Sequence, residues 1–97
     1  MQFKVVFTDE ADDTFDLIGR QILERWGEQE LFKFRSRVYK VIDTISKSPL
    51  IFQVVDGTAN LRKAVIHGNC SIFYEIKGNI ISISFFWDNR QDPIFRQ

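Results

Sequence analysis

The chain has 97 residues, of which 44% are hydrophobic, and it carries thirteen acidic and thirteen basic side chains. This length suits one domain over residues 1–97, with a core large enough to need no disulfide or metal. The single cysteine, Cys70, excludes an internal disulfide and a multi-cysteine zinc site, and no apolar run approaches the ~20 residues that cross a bilayer. We expect a soluble cytoplasmic protein without a cofactor.

The charges are distributed unevenly along the chain. Residues 1–30 carry eight acidic and three basic side chains, whereas residues 31–63 carry seven basic and two acidic ones. A basic segment of this kind meets an acidic partner or nucleic acid in some proteins. It is equally consistent with an acidic first helix that attracts a basic second helix, and the sequence leaves both interpretations open.

The first predicted elements are a strand and a helix. Apolar Phe3 and Phe7 belong to a short run of β-formers that ends at Thr8. Thr8 is a good helix N-cap and acidic residues follow it, as the exposed N–H groups of a first helical turn favour. The helix ends before Gly27. Its predicted core face has helical spacing and consists of Ala11, Phe15, Ile18, Ile22 and Trp26.

A second helix follows directly and ends at Ser48-Pro49, because a proline disfavours helical backbone in the residue before it. The two helices therefore form an antiparallel hairpin. The apolar face of the second helix comprises Leu31, Phe34, Val38, Val41 or Ile42, and Ile45. Its outward side is basic, with Lys33, Arg37, Lys40 and Lys47. The segment from Pro49 to Asn60 is predicted to be a loop held by apolar anchors.

Three strands with two tight turns are predicted between Leu61 and Arg90. Gly68-Asn69 and Gly78-Asn79 suit two-residue hairpin turns, because both residue types tolerate positive φ. Closing the hairpins on these turns fixes which residues face each other. The predicted pairs on the core side are Ile76–Ile81, Tyr74–Ile83, Ile72–Phe85 and Val65–Ile72. On the other side the predicted pairs are Glu75–Ser82, Phe73–Ser84, Ser71–Phe86 and Arg62–Glu75.

These elements predict an α+β fold in the order β-α-α-β-β-β, with the helical hairpin packed on one face of a small, mostly antiparallel sheet. The opposite face is then uncovered. It would expose apolar side chains among polar ones, which is typical of a binding surface. The predicted contact residues for a partner on this face are Arg62, Ala64, Ile66, Phe73, Glu75 and Phe86. The tail residues Ile94 and Phe95 are expected to dock back on the domain.

Six segments stand out by their order and spacing: FKVVFTDEADDTFDLI, ILERWG, the second helix running into SP, LRKAVI, SIFYEI and IISISFFWDNRQDP. In these segments the chain resembles the RelE/ParE superfamily of bacterial type II toxins, which serve in plasmid stabilisation. The resemblance implies the fold given above and a small cognate antitoxin, usually encoded next to the toxin gene, with which the chain forms a hetero-oligomer. It also implies that the C-terminal segment of the antitoxin wraps the toxin, and we expect the uncovered face to be the surface that it contacts.

The superfamily contains mRNA endonucleases that act on the ribosome and ParE-like poisons of DNA gyrase. RNA cleavage needs a base, a cation and an acid, which RelE-like members supply with lysines, arginines and a C-terminal tyrosine. Here Ser71 replaces the arginine of the YRxxY pattern found in many RelE-like members, and the tail offers Phe95 but no tyrosine. The remaining catalytic candidates are Arg62, Lys63 and Arg90. Arg62 could instead pair with Glu75, Lys63 could protect a strand edge, and Arg90 could pair with Asp88 or Asp92.

We therefore expect a toxin closer to ParE than to RelE, which acts by binding DNA gyrase. The alternatives are a ribosome-dependent mRNA endonuclease and a non-toxic protein that keeps the fold and binds an antitoxin. No metal site, phosphate-binding loop or nucleophile triad is predicted from the sequence.

Overall fold

The computed structural model describes residues 3–66 and 70–90, and the elements follow the predicted order. A short first strand precedes two long helices, and three further strands complete the sheet. The elements are β1 (Lys4–Phe7), α1 (Asp9–Trp26), α2 (Glu28–Lys47), β2 (Arg62–Ile66), β3 (Cys70–Lys77) and β4 (Ile80–Asp88). The predicted α+β architecture is confirmed.

The helical hairpin begins and turns where the sequence predicts. The hydroxyl of Thr8 accepts a hydrogen bond from the backbone N–H of Ala11, which satisfies a donor that the first helical turn leaves free. Gly27 joins the helices with φ 92°, a conformation that a residue with a Cβ rarely adopts. Buried Gly19 lets the helices approach closely, since a Cβ there would lie 3.4 Å from Leu31 Cδ1. Trp26 was predicted to lie in the core, which is wrong, because 61% of its surface is exposed.

The sheet has the strand order β1-β4-β3-β2, with β1 parallel to β4 and the other pairs antiparallel. The helical hairpin carries the chain from β1 at one edge of the sheet to β2 at the other edge. Both helices cover the same face of the sheet, and the core lies between them, formed by Ile18, Phe34, Val38, Ile45, Ile72, Tyr74, Ile81, Ile83 and Phe86 among others. The opposite face is not covered by a helix.

The β3–β4 register agrees with the prediction only near the turn. Ile76 pairs with Ile81 and Tyr74 with Ile83, but a bulge then shifts the register by one residue. Ile72 therefore faces Phe86 rather than Phe85, and the predicted pairs Phe73–Ser84 and Ser71–Phe86 are wrong as well. A bulge reverses the faces of all residues beyond it. As a result, Phe86 points into the core with 1% of its surface exposed.

Two threonine hydroxyls from the start of α1 explain how this bulge is stabilised. The hydroxyl of Thr8 donates to the carbonyl oxygen of Ser84 at 2.7 Å, and the backbone N–H of Phe86 donates to the hydroxyl of Thr14 at 2.9 Å. β1 has already ended at this level of β4, so no strand is present to pair with these groups. The hydroxyls supply the partners that buried backbone groups require.

The β2–β3 register also differs from the prediction by one residue. Ile66 pairs with Cys70 and Ala64 with Ile72, so three residues, not two, separate the paired ends. The predicted turn at Gly68-Asn69 lies outside the described residues. The slip turns Arg62, Ala64 and Ile66 toward the helices, and Lys63 and Val65 toward the open face. Arg62 lies opposite Tyr74, so the predicted pairs Val65–Ile72 and Arg62–Glu75 are wrong.

The segment between α2 and β2 is held against the sheet, as the apolar anchors predict. The Tyr74 hydroxyl donates to the carbonyl oxygen of Pro49 at 2.7 Å, and Arg62 Nη1 donates to that of Phe52 at 2.6 Å. Val54 forms an isolated bridge with Arg62 at the outer edge of β2, and Val55 is buried. These contacts protect part of an otherwise open sheet edge.

Within the described residues, no helix is long and apolar enough to cross a membrane. The prediction that Ile94 and Phe95 dock on the domain concerns residues outside the described ranges. The attraction predicted between an acidic α1 and a basic α2 produces no direct ion pair in the described part of the chain. Its four ion pairs are Lys33–Glu30, Lys47–Asp43, Lys77–Glu75 and Arg90–Asp88.

Candidate functional site

A groove of about 580 Å³ lies between one flank of the helical hairpin and the ends of the three C-terminal strands. It brings together residues from both helices and from β2, β3 and β4. The groove is lined by Ile18, Ile22, Trp26, Glu30, Lys33, Phe34, Arg37, Ile66, Cys70, Asp88 and Arg90. It combines an apolar floor with a charged rim.

The floor of the groove is formed by apolar side chains that also belong to the core. Ile18, Phe34 and Ile66 are buried, whereas Trp26 stands beside the hairpin turn with most of its ring exposed. Trp26 is the last residue of α1, and Gly27 then reverses the chain, so little protein remains to cover the ring. An exposed tryptophan at the edge of an apolar groove is a strong anchor for a protein partner.

The rim carries two internal ion pairs and one additional cation. Lys33 contacts Glu30 at 3.3 Å, and Asp88 accepts from Arg90 at 3.0 Å from Nε and 2.8 Å from Nη2. Arg37, also at the rim, forms no ion pair within residues 3–66 and 70–90. With two neutralised pairs and one unpaired guanidinium, the groove favours a segment that presents a carboxylate.

Hydrogen bonding from Arg90 lowers the pKa of Asp88, and the same contact raises the pKa of Arg90. Both groups therefore stay charged near neutral pH and hold the end of β4. Burial, and then the nearby charge of Asp88, raises the pKa of the Cys70 thiol to about 12. Because a thiol with this pKa is protonated at neutral pH, Cys70 is not an activated nucleophile. The groove is suited to binding and contains no group prepared for acid–base or nucleophilic chemistry among its described residues.

The three catalytic candidates from the sequence do not come together. Arg62 points to the helix side, where it donates to the carbonyl of Phe52, whereas Lys63 points to the opposite face. Arg90 is paired with Asp88, which lies opposite Cys70 in β3. Arg62 lies opposite Tyr74, four residues farther along β3. Four residues of strand span ~13 Å. The predicted interaction of Arg90 with Asp88 is confirmed, and Asp92 lies outside the described residues.

Most of the predicted antitoxin contact residues are not exposed. Ala64, Ile66 and Phe86 face the helices with 2% or less of their surface accessible, so their predicted exposure is wrong. Phe73 does lie on the open face, as predicted, but it is 1% exposed and stacks on Phe85 with ring centroids 4.6 Å apart. Glu75 is half-buried on that face and lies 3.9 Å from Lys77. The two register shifts reverse the faces of Ala64, Ile66 and Phe86, whereas Phe73 keeps its predicted face and is covered there in part by Phe85.

Two predicted site residues do line the groove, Ile66 at its floor and Arg90 at its rim. Sequence reasoning did not assign Trp26 or Arg37 to a site. Trp26 was placed at the end of the core face, and Arg37 among the outward basic residues of α2. The position of Trp26 directly before the turn glycine was the available signal, because a helix end at a tight turn offers little cover to a large ring.

A family model described as the ParE toxin of the type II toxin–antitoxin system parDE matches residues 5–93. A solved structure of the chromosomal ParDE system from P. aeruginosa superimposes on this chain with a TM-score of 0.76 at 13% sequence identity. The match covers 90% of this chain and 96% of that one. The RelBE2 toxin–antitoxin complex of Mycobacterium tuberculosis gives a TM-score of 0.66 at 17% identity, covering 92% and 100%. The E. coli DinJ-YafQ toxin-antitoxin complex gives a TM-score of 0.64 at 7% identity, and the match covers 93% of this chain and 96% of that one.

No curated protein sequence is significantly similar to this chain. At these identities the solved structures establish a shared fold, and the family match extends over nearly the whole chain.

Proposed function

Since the chain belongs to the ParE toxin family of type II toxin–antitoxin systems, we propose that it is the toxin of such a pair and that its antitoxin binds in the groove. The observation that carries this proposal is a groove with an apolar floor and with exposed Trp26 at its edge. The similar structures include toxin–antitoxin complexes, which supports a protein partner. The groove replaces the open sheet face as the principal contact surface.

The chemistry of the groove specifies the antitoxin segment that fits it. Apolar side chains of the segment pack on Ile22 and Trp26, and a carboxylate meets the guanidinium of Arg37. Phe32 offers a matched control, because it is an aromatic residue of α2 that does not line the groove and is 72% exposed. Substitution of Trp26 and of Phe32 therefore compares two exposed rings of which one contacts the antitoxin.

The experiment measures the affinity of the chain for the small protein encoded next to its gene, by titration calorimetry or by binding kinetics with one partner immobilised on a surface. We expect Trp26→Ala to weaken binding by at least ~30-fold, as for an aromatic hot spot worth ~2 kcal/mol. Arg37→Glu should slow association, and this effect should diminish as salt rises. Phe32→Ala should leave the affinity unchanged. Equal affinities for the Trp26→Ala chain and the unaltered chain would exclude the groove as the binding site.

For the cellular target, we propose that the toxin binds and inhibits DNA gyrase. Membership of the ParE family supports this choice, and so does the separation of Arg62 from Arg90, which leaves no assembled set for RNA cleavage among the described residues. A binding toxin needs a rigid surface and no catalytic group. This mechanism is consistent with the protonated Cys70 and the paired Asp88.

Pulse labelling after induction of the chain in bacteria tests the target. An early fall in thymidine incorporation, with methionine incorporation intact, is the expected result. The purified chain should also inhibit supercoiling by purified gyrase. An early fall in methionine incorporation with active gyrase would contradict the proposal. No fall in either would identify a non-toxic protein that keeps the fold.

A ribosome-dependent mRNA endonuclease is the second candidate, because the fold is shared with RelBE2 and DinJ-YafQ. Such an enzyme would use Arg62, Lys63 or Arg90. Lys63→Ala gives the clearest test, since Arg62 also supports the loop through Phe52. Cleavage of ribosome-bound mRNA that persists in Lys63→Ala and Arg90→Ala variants would rule out these residues as catalytic.

A further inference from the structure

The outer surface of the helical hairpin, away from the groove, exposes three large apolar side chains. Phe32 is 72% exposed, Tyr39 61% and Leu23 40%. Phe32, Arg35 and Tyr39 follow one another at spacings of three and four, so they share one face of α2. At 3.6 residues per turn, that face is rotated by about 160° from Glu30, Lys33 and Arg37 at the groove. We call this surface the hairpin patch, formed by Leu23, Phe32, Arg35 and Tyr39.

A shallow hollow of about 230 Å³ adjoins the hairpin patch between the two helices. Gly19 leaves this space, because the position has no Cβ and lies against Leu31. The hollow is lined by Phe15, Asp16, Gly19, Arg20, Leu23, Leu31 and Arg35. One surface thus contains both a hollow and a projecting ring, Phe32, that can fill such a hollow on another molecule.

The charged groups around the hollow carry both signs and remain unpaired. Among residues 3–66 and 70–90, Asp16, Arg20 and Arg35 form no ion pair with one another or with other side chains. A single surface that presents an unpaired carboxylate and unpaired guanidinium groups can be complementary to itself. Two-fold symmetry requires this property, because each chain then offers the same patch to the other.

The positions of these residues along the helices fit such a two-fold axis. Asp16 precedes Gly27 by eleven residues and Arg35 follows it by eight, which places them ~16 Å and ~12 Å from the turn at ~1.5 Å per residue. Leu23 and Phe32 lie four and five residues from Gly27, at ~6 Å and ~8 Å. An axis parallel to the helices would place α1 of one chain over α2 of the other, with Asp16 near Arg35 and Leu23 near Phe32.

We propose that two copies of this chain associate through the hairpin patch, with Asp16 of each chain paired to Arg35 of the other and Phe32 seated against Leu23 beside the hollow. Arg20 then stays at the rim, where its long stem carries the guanidinium into water. Because the hairpin patch and the groove lie on opposite flanks of the hairpin, both grooves of the pair stay open. Each toxin in the pair can then bind its own antitoxin.

The available area sets the expected strength. A fully exposed aromatic side chain buries 150–250 Å², so at 72% and 61% exposure the four rings of a pair contribute about 500 Å². Leu23 and the stems of the charged residues add the remainder of an interface near ~1,000 Å², which is the lower limit for a specific one. We therefore expect reversible association in the micromolar range rather than a permanent dimer.

The test is sedimentation of the purified full chain from about 1 to about 200 µM, a range that brackets micromolar association. The expected mass rises with concentration from the monomer mass of 11.5 kDa toward twice that value. Arg35→Glu and Asp16→Lys should each keep the chain monomeric by placing like charges opposite each other. The double variant Asp16→Lys with Arg35→Glu should regain association, because the pair is restored with its signs exchanged.

Two controls separate this result from misfolding and from the groove. Circular dichroism should show equal helix content and equal thermal transitions in all charge variants. Trp26→Ala, which alters the groove, should associate as the unaltered chain does. A chain that stays monomeric at 200 µM would overturn the proposal. So would association that survives Arg35→Glu, a double variant that stays monomeric, or a mobility shift of RNA or DNA that depends on Arg35, which would assign the surface to nucleic acid.

Discussion

The Tyr74 hydroxyl gives the most direct test of how the loop after α2 is held. Tyr74 is fully buried, and its hydroxyl donates to the carbonyl oxygen of buried Pro49 at 2.7 Å. Tyr74→Phe retains the ring and its edge contact with Phe52, whose centroid lies 6.4 Å away, but it removes the donor. A buried carbonyl left without a partner costs ~1–3 kcal/mol. We expect a loss of free energy of unfolding near ~2 kcal/mol.

Urea denaturation followed by tryptophan fluorescence measures this loss. For a small protein with an m-value of ~2 kcal/mol/M, a loss of ~2 kcal/mol lowers the midpoint by about 1 M. Tyr39→Phe is the matched control, because Tyr39 is 61% exposed and forms no described hydrogen bond. Its midpoint should stay within experimental error of the original. Equal midpoints for Tyr74→Phe and the unaltered chain would refute the claim that this hydrogen bond holds the loop.

Three further predictions follow from burial and charge. Phe86→Ala should cost ~3–5 kcal/mol of stability and Phe85→Ala clearly less, because only Phe86 faces the helices; the reverse order in urea denaturation would contradict the bulged register. The lowered pKa of Asp88 contributes stability that is present above the carboxyl's unfolded-state pKa and is lost as pH falls through the lower folded-state value; Arg90→Gln should weaken this acid dependence in thermal melts. With its pKa near 12, the Cys70 thiol should react with iodoacetamide slowly at pH 8 in the folded chain and much faster in urea, and equal rates would argue against its burial.

Local signals in the sequence were sufficient to predict the helical hairpin. The side chain of Thr8, the positive φ that Gly27 can adopt and Pro49 after α2 each act on the residues next to them, so their effects are visible without knowledge of the fold. The element order and the turn at Gly78-Asn79 are predictable for the same reason. Strand pairing near that turn, including Tyr74 with Ile83, also followed directly from turn chemistry.

The registers farther from the turn depend on contacts between distant parts of the chain. The bulge in β4 relies on the hydroxyls of Thr8 and Thr14, which are more than 70 residues away from Ser84 and Phe86. A pattern of alternating side chains contains no trace of those bonds. A register shift of one residue reverses the face of every residue beyond it. A prediction without the bulge therefore places Phe86 on the binding surface, although Phe86 lies in the core.

The groove could not be derived from the sequence because it is formed where five elements meet. Its side chains come from α1, α2 and three strands, and none of these segments has a motif that marks a site. Ile66 and Arg90 were among the predicted site residues, but Trp26 was interpreted as core because the helical spacing alone assigns it there. Spacing identifies the side of a helix on which a residue lies, and it does not show whether another element covers that position.

The helical spacing predicts that Trp26 is buried, whereas the structure exposes it, and this difference supports the binding function proposed for the groove. The remaining residues of this helical stripe, from Ala11 to Ile22, are buried or pack against the core. Trp26, which has the largest side chain of the stripe, is exposed instead. Departures of this kind are expected at functional sites, where local preference is given up for an interaction with another molecule. A partner that covers Trp26 binds the folded chain and not the unfolded one, so it stabilises the fold in proportion to the logarithm of its concentration over its dissociation constant. Neutralisation and stabilisation of the toxin are then two consequences of the same contact, and Trp26→Ala should reduce both together.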